Sequence, residues 1–454
     1  MTRKEVMTKY EPVIGLEVHV ELNTKSKMFC SCSADYFGKE PNTHTCPVCL
    51  GLPGALPYIN KQAIDDCIKI GLALNCQISE KSLFERKNYF YPDLPKGYQI
   101  SQYRWPLCIN GQLIIDNGKV IRINRAHQEE DTGKLTHRGA DTLIDFNRSG
   151  VPLVEIVTEP DFIDVVQIKD YAKKLQQLFR YLKVSNADME RGDMRLEANI
   201  SVRPLGQKEL PAYRVELKNI NSFRFMVAAV EYEIKRQIAA IEKGEKLSQE
   251  TRGWDEEQKS TYLQRSKEEA HDYRYFPEPD LPQLRIDNGQ LSILKKQIPE
   301  LPWEKAERYQ KEFGIRKIDA GIISEEKKLA EFFEDAVEHG RKHGVDAKQI
   351  ANFIINTRIN IEEVLPAQVV EEIHGRGIGV IGDIGEIEKL AKQAIRENPK
   401  AVEDYKQSLL SSGDESKKGN PNALQVLVGG VMRLSKGKAD INKVKQILAS
   451  LLKQ

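Results

Sequence analysis

The chain has 454 residues, 30% of them charged and 40% hydrophobic, with a formal net charge of +1 and a mean hydropathy of -0.50. This composition is that of a soluble globular protein, and the length suits two to four domains because single cores stop growing beyond about 250–300 residues. No apolar run approaches the ~20 residues of a membrane span, and the N-terminus lacks an apolar signal-peptide core, so we expect a cytoplasmic protein.

The first part of the chain, to about residue 290, predicts a sheet interrupted by helices. Strands are expected at 13–22, 120–124, 194–202 and 213–217, and helices at 165–182 and 222–243. Residues 13–22 and 194–202 alternate between apolar and polar side chains. The polar positions are Glu17, His19 and Glu21 in the first strand and Arg195, Glu197, Asn199, Ser201 and Arg203 in the second. Half-polar strands of this kind indicate an antiparallel sheet with one open face.

Four of the seven cysteines lie in one short stretch, as a C-x-C pair and a C-x-x-C pair: Cys30, Cys32, Cys46 and Cys49. In a cytoplasmic chain such clustering favours a metal site over disulfides. Four thiolates suit a tetrahedral zinc ion in a closed structural site, which leaves no position open for substrate. Free thiols are the alternative.

The segment 127–161 places an acidic cluster, Glu129 to Asp131, beside an apolar run that contains Glu155. An ionised carboxylate in such a run is costly unless a cation, a metal or a hydrogen-bond network compensates it. Glu155 is therefore either part of a reactive site or a buried partner of Arg148 or Arg195.

Carboxylates on the open strand faces offer the hard oxygen ligands that Mg²⁺ prefers. The candidates are Glu17, His19, Glu130 or Asp131, Glu155, Glu197 and Asn199, with Arg125, Arg148, Arg195 and Lys218 as basic partners for phosphate. The alternative is a merely solvated strand face. Since the sequence has no GxxxxGK[ST] loop, any ATP must be held mainly by metal and basic side chains.

Two segments mix aromatic and basic residues, 86–99 (RKNYFYPDLPKGYQ) and 273–280 (YRYFPEPD). Either they stack nucleobases or a ribose, or they form proline-rich loops that seal the domain.

Beyond residue 289 the pattern becomes helical, as at 325–339 and 347–355, and a polar break at 411–420 precedes a last basic unit. From Arg433 onward six basic residues face one aspartate, which suggests contact with a polyanion; a solvated helix face is the alternative. The predicted fold is a large α+β domain, then a helical domain and a small helical tail.

Several long segments resemble the B subunits of aspartyl/glutamyl-tRNA(Asn/Gln) amidotransferases. They include GLEVHVELNTKSKMFC, CPVCLGLPGALP, RKNYFYPDLPKGYQISQY, HQEEDTGK, DFNRSGVPLVEIVTEPD, YRYFPEPDLP and LVGGVMRLSKGKAD, and the resemblance covers essentially the whole chain. It implies a cradle-like catalytic domain at 1–292 with a zinc-binding insert, a helical domain at 293–400 and a tRNA-binding helical tail at 401–454.

The resemblance also implies a function. Such B subunits use ATP and Mg²⁺ to phosphorylate the side-chain carboxylate of misacylated Glu-tRNA(Gln) or Asp-tRNA(Asn). Ammonia from a partner glutaminase, which is the amidase or A subunit, then displaces phosphate, and a small C subunit completes a heterotrimer. A non-enzymatic zinc-containing tRNA-binding protein is the alternative.

Site residues follow from the matched motifs and from the basic residues around them. The predicted Mg²⁺ ligands are Glu17, His19, Glu130, Glu197 and Asn199, and the predicted zinc ligands are Cys30, Cys32, Cys46 and Cys49. Glu130, Glu155 and Arg195 are predicted to be catalytic, and Arg125, Arg148 and Lys218 to bind ATP. The chain departs from the family at Leu196 and Glu197, where relatives commonly have cysteine and aspartate, although the longer side chain of Glu197 can still reach a metal ion.

Overall fold

The computed structural model describes residues 9–266, 273–377, 384–410, 422–435, 439 and 441–452. The chain forms two compact units, Met1–Glu304 and Lys305–Gln454. The division predicted at 292/293 and 400/401 stays a prediction.

The first unit contains sixteen strands and four complete helices among its described residues, and a fifth helix begins at its end. The strands are β1 (Tyr10–Glu21), β2 (Gln77–Ile78), β3 (Lys81–Ser82), β4 (Glu85–Asn88), β5 (Tyr98–Ser101), β6 (Cys108–Ile114), β7 (Val120–Glu130), β8 (Lys134–Arg138), β9 (Asp141–Asp145), β10 (Pro152–Thr158), β11 (Met194–Pro204), β12 (Val215–Ile220), β13 (Glu250–Asp255), β14 (Ser260–Ser266), β15 (Phe276–Pro277) and β16 (Leu284–Arg285). The helices are α1 (Lys61–Ala73), α2 (Val165–Tyr181), α3 (Phe223–Glu242) and α4 (Asn288–Gln297).

Nine strands form the main sheet in the order β14-β13-β12-β11-β1-β10-β7-β6-β2. Every neighbouring pair is antiparallel except β12 and β13, which run parallel, so the sheet is mixed. The α+β class is confirmed, and the predicted antiparallel pairing holds for all pairs but that one. Strand β1 lies at the centre of the sheet.

The predicted alternation in β1 fixes which side of the sheet is the core. Ile14, Leu16, Val18 and Val20 are buried among apolar residues of α1, α2 and α3, while the intervening positions carry the polar side chains. Asp164 and Ser222 cap α2 and α3 by accepting hydrogen bonds from backbone N–H groups of the first turn. One face of the sheet is thus covered by helices, and the other carries the candidate site.

Three smaller sheets accompany the main one: β15-β4-β5, β16-β3 and β8-β9. In the first, β4 pairs with both β5 and β15, which brings the two aromatic segments of the sequence together. Strand β5 also packs on β7 of the main sheet.

The second unit is helical in its described part. Its helices are α5 (Pro302–Phe313, which starts at the unit boundary), α6 (Lys317–Ile323), α7 (Lys327–His343), α8 (Ala347–Thr357), α9 (Pro366–Gly377), α10 (Ile384–Glu397), α11 (Pro399–Leu410), α12 (Ala423–Leu434) and α13 (Ile441–Leu452). One core joins α5 to α9 and another joins α10 to α13. The predicted break at 411–420 lies outside the described residues, as do Lys436, Lys438, Asp440 and Lys453 of the basic end. None of the described helices has the length and apolar character needed to cross a membrane.

Candidate active site

The open face of the sheet gathers polar side chains from five neighbouring strands. Residues paired directly across antiparallel strands share a face, and the pairing places His19 between Arg195 and Glu155, with His127 beyond Glu155. Glu17 is paired with Glu197 in the same way. Strand pairing alone therefore concentrates charge on one face of β1 and its neighbours.

A first group on this face consists of three carboxylates. One ligand atom of each of Glu17, Glu197 and Glu216 lies within 4.8 Å of the others. Burial and the neighbouring carboxylates raise the pKa of Glu17, so this side chain resists ionising here. Lys218 offsets part of the repulsion, with its Nζ 2.9 Å from Glu197 and 3.4 Å from Glu216.

Asn199 completes this group from β11. Its Nδ2 donates a hydrogen bond of 2.8 Å to Glu17 Oε1, while its Oδ1 is buried without a hydrogen-bond partner among the described residues. An unsatisfied buried carbonyl beside carboxylates is an arrangement that a cation would complete.

A second group consists of His19, Glu129 and Glu155, which likewise each offer an atom within 4.8 Å of the others. His127 Nε2 lies 3.4 Å from both carboxylates, and Arg125 lies 3.7 Å from Glu155. Burial opposes ionisation of Glu155, but His127 and His19 hold its pKa well below the ordinary value. The compensating partners are these groups rather than Arg148 or Arg195.

Glu130 points elsewhere. Strand alternation sends its side chain to the opposite face of β7 from Glu129, where it is buried against Lys96 and accepts a 2.9 Å hydrogen bond from the Ile100 N–H. Glu129 instead faces the second group and accepts a 2.5 Å hydrogen bond from Ser101 Oγ. Within the described part of the chain, Glu130 joins none of the clusters able to hold a metal ion.

The predicted basic residues fall into different surroundings. Arg125 and Lys218 lie among the carboxylates, as described. Arg148 donates hydrogen bonds of 2.9 and 2.8 Å to the Thr132 and Gly133 carbonyls, so it holds the turn after β7.

Arg195 is held by a buried acidic chain. Its Nη2 donates a hydrogen bond to Asp131. Burial opposes ionisation of Asp131, but the charges of Arg195 and Arg148 hold its pKa well below the ordinary range. Burial and Asp131 raise the pKa of Glu21 well above its ordinary value, so the two neighbouring carboxyl groups shift in opposite directions. Tyr36 donates a 2.9 Å hydrogen bond to Glu21.

The four clustered cysteines converge as predicted from their spacing, and their four sulfur atoms all lie within 4.8 Å of one another. The Cys46–Cys49 sulfur distance is 3.8 Å, and tetrahedral zinc with bonds of about 2.3 Å requires about 3.8 Å between sulfurs. The Cys30 thiol and Lys27 lower the pKa of Cys49 to about 5 against the effect of burial. The geometry and the ligand chemistry fit zinc.

Reasoning from sequence missed Glu129, Glu216 and His127 as members of the site. The signal for the first and last was present, because Arg125, His127 and Glu129 continue one alternating face of β7. Glu216 depends on how β11 pairs with β12, which includes a register shift and cannot be read from either strand alone.

Comparison with known proteins places the chain in a family. The GatB/GatE catalytic domain matches residues 12–292, and the GatB domain matches residues 328–452. The chain is 44% identical to the B subunit of an aspartyl/glutamyl-tRNA(Asn/Gln) amidotransferase from Persephonella marina, over 98% of this chain and 100% of the relative. Proteins of the same name from Caldicellulosiruptor saccharolyticus and Thermotoga maritima are each 45% identical, over 98% of this chain and 100% and 99% of the relatives. The first match covers more than half of the chain and includes every residue of the first and second groups on the polar face, so the chain belongs to the GatB family.

Proposed function

We propose that this chain is the B subunit of a tRNA-dependent amidotransferase and that the polar face of its sheet performs phosphoryl transfer and amidation. The substrate is the side-chain carboxylate of glutamate or aspartate carried by a misacylated tRNA. The single observation that carries the proposal is that two clusters of side chains able to bind a metal ion lie side by side on β1. One cluster surrounds Glu17 and the other surrounds His19, and they are called the two carboxylate groups below.

The donor sets of both groups fit divalent cations. Carboxylate oxygens and the unsatisfied Asn199 oxygen are the hard ligands that Mg²⁺ prefers, and the His19 imidazole adds one nitrogen ligand to the second group. Glu17, Glu197, Glu216 and Asn199 would hold one ion, and His19, Glu129 and Glu155 another. Bound there, such ions supply charge neutralisation for the polyphosphate of ATP.

The reaction proceeds in two steps, phosphorylation of the carboxylate and then amidation. An oxygen of the amino-acid carboxylate attacks the γ-phosphorus of ATP, the bond to the β-phosphate oxygen breaks, and ADP leaves. Ammonia then attacks the activated carbonyl carbon, phosphate leaves with the bonding electrons, and the nitrogen loses a proton to give the amide. Both steps develop negative charge on oxygen, which favours preorganised cations.

The protein's own side chains supply those cations. Arg195 is fixed by Asp131 on the same face as His19, and Arg125 lies beside Glu155, so two guanidinium groups are in place for phosphate oxygens. Lys218 places an ammonium group beside Glu197 in the first group. Because Asp131 holds one end of the Arg195 guanidinium, the orientation of this group is fixed before an anion binds.

Zinc, ammonia and partner chains complete the proposal. The four cysteines hold a structural zinc ion, and ammonia comes from glutamine hydrolysed by an amidase partner, with a small third chain in the complex. The relatives are named as B subunits, and this name is the support for partners. The basic end of the second unit binds the tRNA.

The decisive experiment is amide formation by the reconstituted complex on Glu-tRNA(Gln) and on Asp-tRNA(Asn), with ATP, Mg²⁺ and glutamine. We expect ADP and amide in equal amounts, and neither product without ATP. A complex that binds tRNA but shows no tRNA-stimulated ATP hydrolysis would instead support a non-enzymatic tRNA-binding protein.

A further inference from the structure

Two aromatic segments that are far apart in sequence form one cluster beside the polar face. Tyr103 and Tyr275 stack with ring centroids 4.5 Å apart and planes inclined by 15°. Tyr273 packs edge-on against Tyr275 at 6.1 Å and against Tyr89 at 5.9 Å. Four tyrosines thus converge from the loop after β5, the end of β4 and the segment before β15.

A buried carboxylate holds the Tyr103 loop in place. Glu85, which is fully buried in β4, accepts hydrogen bonds from the backbone N–H groups of Tyr103 at 3.0 Å and Arg104 at 2.7 Å. Pairing of β15 with β4 positions Tyr275 in turn. The stacked pair is therefore anchored from both sides by the small sheet.

Tyr103 is the exposed member of the cluster, while Tyr89, Tyr273 and Tyr275 are half-buried. Tyr103 is 52% exposed and the neighbouring Trp105 is 50% exposed, whereas tyrosines that close a core are buried. Because one face of the Tyr103 ring lies against Tyr275, what the solvent reaches is the rest of that ring. An exposed, rigidly held aromatic ring is a stacking platform for a base.

Cations join this platform to the carboxylate groups. The Arg125 guanidinium lies 5.9 Å from the Tyr103 ring centroid and 3.7 Å from Glu155. Lys87 lies 5.2 Å from the Tyr273 ring centroid, and its charge acts on Glu129. One guanidinium thus spans the distance from the aromatic ring to the predicted metal ligands, which suits a ligand with a base at one end and an anion at the other.

We propose that Tyr103, supported by Tyr275, is the binding subsite for an adenosine whose reacting group lies at the carboxylate groups. The inference rests on the proposed function, which supplies two adenosine-bearing ligands. They are ATP and the terminal adenosine of tRNA, to whose ribose the amino acid is esterified. The shared chemistry is an adenine ring stacked on tyrosine.

The test is steady-state amide formation by the full complex carrying Tyr103→Ala, Tyr103→Leu or Tyr103→Phe. With ATP varied in one series and aminoacyl-tRNA in the other, we expect the Ala and Leu variants to raise one KM by about 5-fold to 150-fold, since base–aromatic stacking contributes about 1–3 kcal/mol per base. Tyr103→Phe keeps the ring and should keep the wild-type KM. Tyr262→Ala, which removes a half-exposed tyrosine from β14 at the far edge of the main sheet, is the control.

The two series identify the ligand. A raised KM for ATP alone assigns the subsite to ATP, and a raised KM for tRNA alone assigns it to the terminal adenosine; filter binding of labelled ATP and of tRNA should show the same loss. Unchanged KM values for both, or a fall in kcat alone, would overturn the inference. Failure of the proposed function is distinguishable, because the wild-type complex would then form no amide.

Discussion

The carboxylate group around Glu17 yields a prediction that does not require the complex. Glu17→Gln removes one charge but keeps the side-chain volume and an oxygen able to accept the Asn199 hydrogen bond, which is 2.8 Å in the wild type. Two ionised carboxylates whose oxygens lie within 4.8 Å of each other repel by about 3 kcal/mol or more at an effective dielectric constant of about 20, and this repulsion is one cause of the raised pKa of Glu17. Without a cation, the variant should therefore be at least as stable as the wild type.

With a divalent cation the order should reverse. An ion present at ten times its Kd stabilises the folded state by about 1.4 kcal/mol, which corresponds to a rise in Tm of about 2–4 °C. We expect this rise for the wild type in MgCl₂, measured against NaCl of equal ionic strength, and a smaller rise for Glu17→Gln, in which only the group around His19 is intact. In the complex the same variant should lower tRNA-stimulated ATP turnover by about 100-fold or more while tRNA binding persists.

Glu11→Gln is the matched control. Glu11 lies on the same strand and the same face as Glu17, but it is paired with Arg203 at 2.7 Å and belongs to neither carboxylate group. If both variants respond to Mg²⁺ as the wild type does, the group around Glu17 is a solvated strand face and the proposed metal site is wrong.

Three further predictions concern other parts of the chain. Lys27→Met should speed zinc loss to a chelating dye by about tenfold or more, because the buried Lys27 ammonium lies 3.7 Å from Cys49 and offsets the thiolate charge, whereas the exposed Lys25→Met should not. Glu334→Gln should speed amide hydrogen exchange in α5 and α7 about tenfold at pH 7, because Glu334 binds Lys305, Tyr309 and Arg308. These partners lower the pKa of Glu334 despite the opposing effect of burial, so its stabilisation is present above pH 4.5 and is lost as the pH falls through the lower folded-state pKa; a difference that persists in stronger acid would contradict this reading. Finally, the double variant Lys443→Ala and Lys445→Ala should make the slope of log K for tRNA binding against log salt concentration shallower by about 0.9 per lost phosphate contact. The control is the double variant Lys389→Ala and Lys392→Ala, whose slope should equal that of the wild type. An unchanged slope in the first variant would mean that this helix face is merely solvated.

Point substitutions replace truncation in that last experiment for a structural reason. The core formed by α10 to α13 includes Ile387 and Ala391 at one end and Leu448 and Leu452 at the other. Deleting the basic end would expose the apolar faces of α10 and α11, so a loss of affinity could not be ascribed to charge.

The local pattern in the sequence predicted the face of each strand but not its neighbours. Alternation in β1 correctly put Glu17 and His19 on one side and the apolar core on the other, since it depends only on the two-residue period of a strand. The same period, carried through β7, sends Glu129 to the site and Glu130 away from it. Read from the sequence alone, the acidic residues Glu129 to Asp131 resemble a cluster that precedes a turn, whereas in the structure the strand continues to Glu130.

Contacts between distant segments could not be read from local pattern. The parallel pairing of β12 with β13 and the register shift between β11 and β12 are set by packing across the sheet. Arg148 illustrates the limit: the fold brings two turn carbonyls to its guanidinium, which the sequence did not indicate, and its role in ATP binding stays a prediction. A basic residue's type does not reveal which acceptors the fold brings to it.

The segment that carries the four cysteines also contacts the side chains that hold Arg195, which its sequence pattern did not indicate. Tyr36 lies between the two cysteine pairs in the sequence, and its hydroxyl donates a hydrogen bond to Glu21. Glu21 neighbours Asp131, which accepts the hydrogen bond that fixes Arg195. Each link is buried or half-buried, so a change at one end is not screened by water before it reaches the other. Loss of zinc would free the loop that carries Tyr36, leave Glu21 without its donor and loosen the acid pair that orients Arg195. A structural metal outside the reacting groups would thereby set the position of a guanidinium proposed to bind phosphate.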